Sequence, residues 1–111
     1  MKFSSPAVAI AAAAIAPAAI PAAAAGPARS FTIVIDKMKF GPAPARARVG
    51  DTVLWINRDL FRHSATAADR SFDLDLDPGK SGRIRLVHPG TIRFACRYHP
   101  AMKGAIMVLP R

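Results

Sequence analysis

The chain cannot close an internal disulfide, because Cys96 is its only cysteine. It has no glutamate either: all seven acids are aspartate, set against sixteen Lys and Arg for a formal net charge of +9. Such a balance favours acidic proteins, anionic membrane surfaces or nucleic acid as partners. The basic residues stand singly rather than in blocks, as on a solvated surface, so the charge bears on partner choice and encounter rate more than on chemistry. There is no convincing amphipathic helix, no internal repeat, and no low-complexity stretch beyond Ala25. No Gly-x-Ser-x-Gly elbow is present, and Asp59, His63 and Ser64 crowd into one short segment, which speaks against a hydrolase triad. Asp73-x-Asp75-x-Asp77 opens like a calcium loop. Pro78 then stands where the loop needs glycine and Ile84 where it needs its bidentate glutamate, so the three aspartates read as the wet face of a strand.

The first twenty-five residues differ from the rest. Lys2 precedes an apolar, alanine-dominated run from Pro6 to Ala25, ending in Ala23-Ala24-Ala25. A positive start, an apolar stretch and small residues at its end describe an export leader cleaved near Ala25. A retained span is disfavoured, since alanine gains little from lipid and Pro17 and Pro21 interrupt the run. The expected organisation is therefore a leader over 1–25 and one domain over 26–111, whose 86 residues suffice for one modest core. Export makes nucleic acid an unsuitable partner and excludes stable membrane insertion after cleavage. It also places the lone Cys96 in an oxidising compartment, where it must be a free thiol, an intermolecular bridge or a metal ligand.

The domain reads as short strands punctuated by turns. Phe31 to Ile35 is β-branched and aromatic, and Met38 to Phe40 leads into the Gly41-Pro42 loop. Arg46 to Val49 alternates basic and apolar residues before Gly50-Asp51, and Thr52 to Ile56 carries Trp55, a core residue. Phe72, Leu74 and Leu76 alternate with the aspartates, and Ile84 and Leu86 alternate with Arg83 and Arg85. Asp77-Pro78-Gly79-Lys80 between them is a turn. One register pairs Asp75 with Arg83 and Asp73 with Arg85 in a hairpin, leaving the apolar residues on the opposite face. Thr91 to Cys96 and Gly104 to Leu109 complete about eight short strands, the pattern of a β-sandwich or barrel.

Between the last two strands, Cys96, His99 and Met102 follow one another at intervals of three. A tight loop leaving a strand end can turn all three side chains to one centre. Thiolate and thioether are soft donors and imidazole suits copper; Cys with two His and an axial Met is the donor set of a blue-copper electron-transfer site. The second histidine is His63 or His88. The strand leading to Cys96 carries His88 away from it at about 3.3 Å per residue, so His63 is the ligand and His88 a surface turn residue. Zinc bound by Cys, two His and water is the rival; Met102 favours copper without proving it.

These stretches resemble the cupredoxin family, in particular its amicyanin and plastocyanin group. The matching residues are Met38-Lys39-Phe40-Gly41-Pro42, Val49 through Asp59, His63-Ser64, Pro89-Gly90-Thr91, and Cys96-x2-His99-Pro100-x-Met102-Lys103-Gly104. The short Cys-x2-His-x2-Met loop is the amicyanin pattern. The resemblance implies an all-β, eight-stranded Greek-key sandwich with one type 1 copper, cycling between Cu(I) and Cu(II), near one end. It implies that the Asp77-Pro78-Gly79 turn crosses between the sheets, against the hairpin, and that Ser64 steadies the neighbouring loop and thiolate. Arg97-Tyr98 replaces the amicyanin Thr-Pro pair. The expected function is an exported, monomeric carrier of single electrons, not an enzyme. It would serve acidic redox partners such as a dehydrogenase, a cytochrome or an oxidase, meeting them through Leu60, Phe61, Pro100 and Ala101 around His99. Periplasmic copper carriage or sensing, with the metal as cargo, is the alternative; few Met and His lie outside the site to support it.

Overall fold

A computed structural model describes residues 2–4, 6–7, 12 and 26–111. The expected leader and its cleavage near Ala25 lie almost wholly outside the described residues, and among those described no helix is long and apolar enough to cross a membrane.

Among the described residues, nine strands build two facing sheets. In chain order they are β1 (Ser30–Asp36), β2 (Lys39–Phe40), β3 (Ala47–Arg48), β4 (Thr52–Asn57), β5 (His63–Ala67), β6 (Asp73–Leu76), β7 (Ser81–Arg85), β8 (Gly90–Ala95) and β9 (Lys103–Leu109). Sheet I has the order β2-β1-β4-β7 and sheet II the order β3-β9-β8-β5-β6. The architecture is the expected all-β sandwich, with nine strands rather than eight; β2 and β3 are only two residues long. The strand absent from the sequence reading is β5. Its residues His-Ser-Ala-Thr-Ala carry one branched side chain, Thr66, and no Val, Ile, Phe, Tyr or Trp, and small residues suit it because four of its five positions are buried.

Alternation places the core where the pattern puts it. Ile33, Ile35, Val53 and Trp55 point inward from sheet I, and Phe94, Ile106 and Val108 from sheet II. Phe94 joins the layers, its ring 4.9 Å from Phe40 and 5.5 Å from Trp55, edge-on to both. Gly104 lies directly across the ladder from Phe94, and a Cβ there would overlap the Phe94 ring. The glycine is thus the seat on which the aromatic hub rests.

The chain after β6 does not form the simplest hairpin. β6 pairs with β5, placing Ser64 opposite Asp75 and Thr66 opposite Asp73, whereas β7 pairs with β4 in the other sheet. The Asp75–Arg83 and Asp73–Arg85 register is therefore incorrect, and the Asp77-Pro78-Gly79 turn crosses between sheets. Asn57 makes the crossing: its backbone exchanges hydrogen bonds with Lys80 and Gly79 at 2.9 and 2.8 Å, which ties the turn to the end of β4.

The end of the sandwich remote from Cys96 is sealed by a buried charge. Asp51 is fully buried and accepts hydrogen bonds from the Arg29 and Arg48 amides and from Arg111 Nη2, each at 2.9 Å. Arg111 also reaches the carbonyls of Gly26 and Val49, so one guanidinium ties the first described residue of the domain to its last. Gly50 has φ of 96°, a conformation open to glycine, which lets the chain turn beneath Arg111. Burial pushes the Asp51 carboxyl up, but the two amides and Arg111 outweigh it and hold it below the ordinary aspartate value. The folded carboxylate therefore binds protons more weakly than the unfolded one. Its contribution is complete above about pH 3.9 and is lost as pH falls through the lower folded value. Asp51→Asn is expected to cost about 1–3 kcal/mol at neutral pH and to narrow the loss of stability between neutral pH and about pH 3. Urea unfolding at both values checks this, and equal losses in variant and wild type would contradict it.

Candidate metal centre

The site lies at the other end, at the start of β5, just past the end of β8 and just before β9. β5 and β8 pair only through Thr66–Ala95 and Ala67–Phe94. Beyond these pairs the strands part, and His63 and Cys96 face one another across the gap. Cys96 is buried, and its Sγ lies 3.7 Å from His63 Nδ1 on a fully buried ring. The loop from Cys96 closes on itself: the Met102 amide donates to the His99 carbonyl at 2.8 Å, and the Cys96 amide to the Met102 carbonyl at 3.0 Å. This returns the buried Met102 side chain to the core beside Cys96. The half-buried His99 ring sits 5.2 Å, centroid to centroid, from that of His63. All four sequence-predicted residues thus come to one end of the sandwich. The spacing is open: among the described residues no three His, Cys, Asp or Glu side chains stand close enough together to close on one ion. His88 is exposed in the β7–β8 connection at the opposite end, as strand geometry requires.

The segment that delivers His63 is shaped by Asn57. Its buried carboxamide donates to the Phe61 and Leu76 carbonyls at 2.8 and 2.9 Å and accepts from the Asp59 amide at 2.9 Å. One side chain therefore sets the course of residues 57–63 and fastens it to the end of β6. Ser64 links the two sides of the gap. Its amide donates to Cys96 Sγ at 3.4 Å, and its Oγ accepts the Arg97 amide at 2.7 Å.

Asp59, which in sequence stands only as one member of a crowded Asp-His-Ser segment, is singled out by the geometry. Asp59 Oδ2 meets His63 Nε2 at 2.8 Å and accepts the Met38 amide at 3.0 Å. The hydrogen bond from His63 comes first among the causes that hold this carboxyl below its ordinary range, with the Met38 and Leu60 amides adding to it. A carboxylate only accepts, so it fixes the ring hydrogen on Nε2 and leaves Nδ1 turned toward Cys96, the arrangement by which outer partners orient ligating histidines. The available signal was the spacing of four residues ahead of His63.

Residues 7–108 match the family model described as a cupredoxin-like domain. The chain belongs to the cupredoxin family. Among curated relatives it is similar to amicyanin-alpha of Methylorubrum extorquens, 30% identical over 102 residues and covering 86% of each chain. It is also similar to the amicyanin of Paracoccus denitrificans, 32% identical over 86 residues, with 68% of this chain and 64% of the relative covered. Among solved structures it is similar to an amicyanin variant in its Cu(I) form, with a TM-score of 0.63, 27% identity, and 72% and 82% of the two chains covered. A Cu-containing nitrite reductase from Thermus scotoductus gives a TM-score of 0.65 at 31% identity, with 72% of this chain matching 22% of that one. This cupredoxin's sandwich is thus similar to that of the amicyanins.

The Asp59 contact predicts a tautomer. Nitrogen-15 NMR of the metal-free protein should show neutral His63 protonated at Nε2, and Asp59→Ala should abolish that preference. A ring protonated at Nδ1 in the wild type would contradict the assignment.

Proposed function

We propose that the protein is an exported type 1 copper protein that carries single electrons between redox partner proteins, with His63, Cys96, His99 and Met102 as ligands. The observation that carries this reading is the buried meeting of the only cysteine with His63 Nδ1 at 3.7 Å, on a loop that also supplies His99 and Met102. The donor set fits the metal: one thiolate, two imidazoles and a thioether are softer together than zinc's preferred company, and Met102 lies on the buried side. Copper bound there would supply a one-electron Cu(II)/Cu(I) couple.

The chain's own residues define the conditions of that exchange. Asp59 holds His63 in one orientation, Ser64 donates to the Cys96 sulfur, and Met102 closes the inner side against water. Ligands that are already placed need little rearrangement when the oxidation state changes. His99 is the outward ligand. Leu60, 87% exposed, Phe61, 55% exposed, and the exposed Pro100 and Ala101 offer an apolar contact around it. The groove beside His99 is flanked by Lys39 and Lys103, neither of which has an acidic partner among the described residues. An acidic partner is the complement of such a rim. The apolar leader supports export to the periplasm or an equivalent compartment. The carrier reading is preferred to catalysis because only three histidines exist and two belong to this site.

Adding Cu(II) to the purified protein should produce an intense thiolate-to-copper charge-transfer band in the visible spectrum, and Cys96→Ser should abolish it. Tight binding without that band would overturn the reading in favour of a zinc-like or degenerate site.

A further inference from the structure

The aspartates of β6 do more than face water. Asp75 is gripped by Arg62 through both Nε, at 2.9 Å, and Nη2, and it accepts the Tyr98 hydroxyl at 3.1 Å. Asp73 accepts from Arg97 Nη1 at 2.9 Å and from Thr66 Oγ1 at 2.8 Å. Thr66 Oγ1 in turn meets Ser64 Oγ at 2.9 Å. Two guanidiniums lie over the Tyr98 ring, Arg62 at 5.0 Å and Arg97 at 5.6 Å from its centroid. The Arg62 hydrogen bond, with the Tyr98 hydroxyl adding to it, holds the Asp75 carboxyl below its ordinary range.

The sequence positions of these partners are what matter. Arg62 immediately precedes His63, Arg97 immediately follows Cys96, and Tyr98 immediately precedes His99. Three of the four assigned ligands thus have a chain neighbour fastened to two acids of one strand. β6 can do this because it pairs with β5 alone and sits at the edge of sheet II, with Asp73 and Asp75 on the outer face. The network spans the place where β5 and β8 have stopped pairing, so it joins segments that have no backbone ladder of their own.

We propose that Asp75 and Tyr98 are positioning residues: with Arg62, Arg97 and Asp73 they form an outer girdle that holds the His63 segment and the Cys96–Met102 loop at their spacing before any metal arrives. Each exposed pair alone is weak, because solvent screens it and long side chains lose freedom in making it. The network differs from an isolated pair in that bidentate, stacked and phenolic contacts share two carboxylates, so ordering one member orders the next. The girdle acts on the ligands assigned under the copper reading, but its first consequence needs no metal.

Amide hydrogen exchange on the metal-free protein tests it. In Asp75→Ala, the Arg97 and Met102 amides should exchange roughly tenfold faster than in the wild type, while amides of β1 and β4 keep their rates. Tyr98→Phe retains the stacked ring and should give a smaller local effect, and Asp75→Glu should restore most of the protection. In the copper-loaded protein, Asp75→Ala should shift the thiolate-to-copper band at unchanged global stability. Loop amides that exchange as in the wild type would overturn the girdle, and so would a uniform acceleration across both sheets. If Asp75→Ala does not fold, Tyr98→Phe decides by the same local criterion. Failure of copper to bind would sink the ligand assignment and leave the exchange result standing on its own.

Discussion

Everything at the site depends on how β5 and β8 come apart. Had the ladder that pairs Thr66 with Ala95 continued, Ser64 would have faced Arg97 by backbone hydrogen bonds and the strands would have closed over the space beside Cys96. Instead Ser64 spends its amide on the Cys96 sulfur and its hydroxyl on the Arg97 amide. The two strands stay joined, but by contacts that leave room between His63 and the loop. A buried thiol and a buried imidazole side by side are tolerable because each has a polar neighbour: Cys96 has Ser64 and His63, and His63 has Asp59.

The rest of the fold makes that opening stable. A small domain with no disulfide must hold its two sheets by packing, and Phe94 does so by reaching Phe40 and Trp55 across the core from its place over Gly104. Phe94 lies two residues before Cys96, which directly follows β8, and both side chains are buried, so the anchor of the core also fixes the height of the thiol. The remote end is closed by the buried Asp51 and its three donors. Among the described residues Trp55 Nε1 has no hydrogen-bond partner, and its ring packing against Phe72 and Phe94 offsets that unmet donor. One end of the sandwich is therefore tied shut by charge and backbone, while the other is held open by side chains of β4, β5 and β6 and of the adjoining loops.

How much of this could be read in the sequence follows from what each residue responds to. Strands built of Val, Ile, Phe and Trp announced themselves, because β propensity and alternation are local properties. β5 did not, since Ala and Ser become strand residues only when neighbours bury them. The loop from Cys96 to Met102 was legible by spacing, and His63 was separable from His88 because a strand has a fixed rise. Turn chemistry located Asp77-Pro78-Gly79 but could not tell which sheet the next strand would join; the backbone bonds to Asn57 decide that. Asp59 and the β6 aspartates were the least legible. Their partners are brought to them by loop course and strand register, and from sequence alone they look like a failed triad and a wet strand face.

The central claim is that one copper sits between Cys96 and His63 Nδ1, with His99 and Met102 completing its shell. A crystal structure of the copper-loaded protein, with anomalous scattering recorded at the copper edge, tests it most directly. The account predicts a single anomalous peak bonded to Cys96 Sγ, His63 Nδ1 and a His99 ring nitrogen, with Met102 sulfur facing it and Asp59 still bonded to His63 Nε2. A peak elsewhere on the chain, or one bonded through His63 Nε2 with Asp59 displaced, would contradict it.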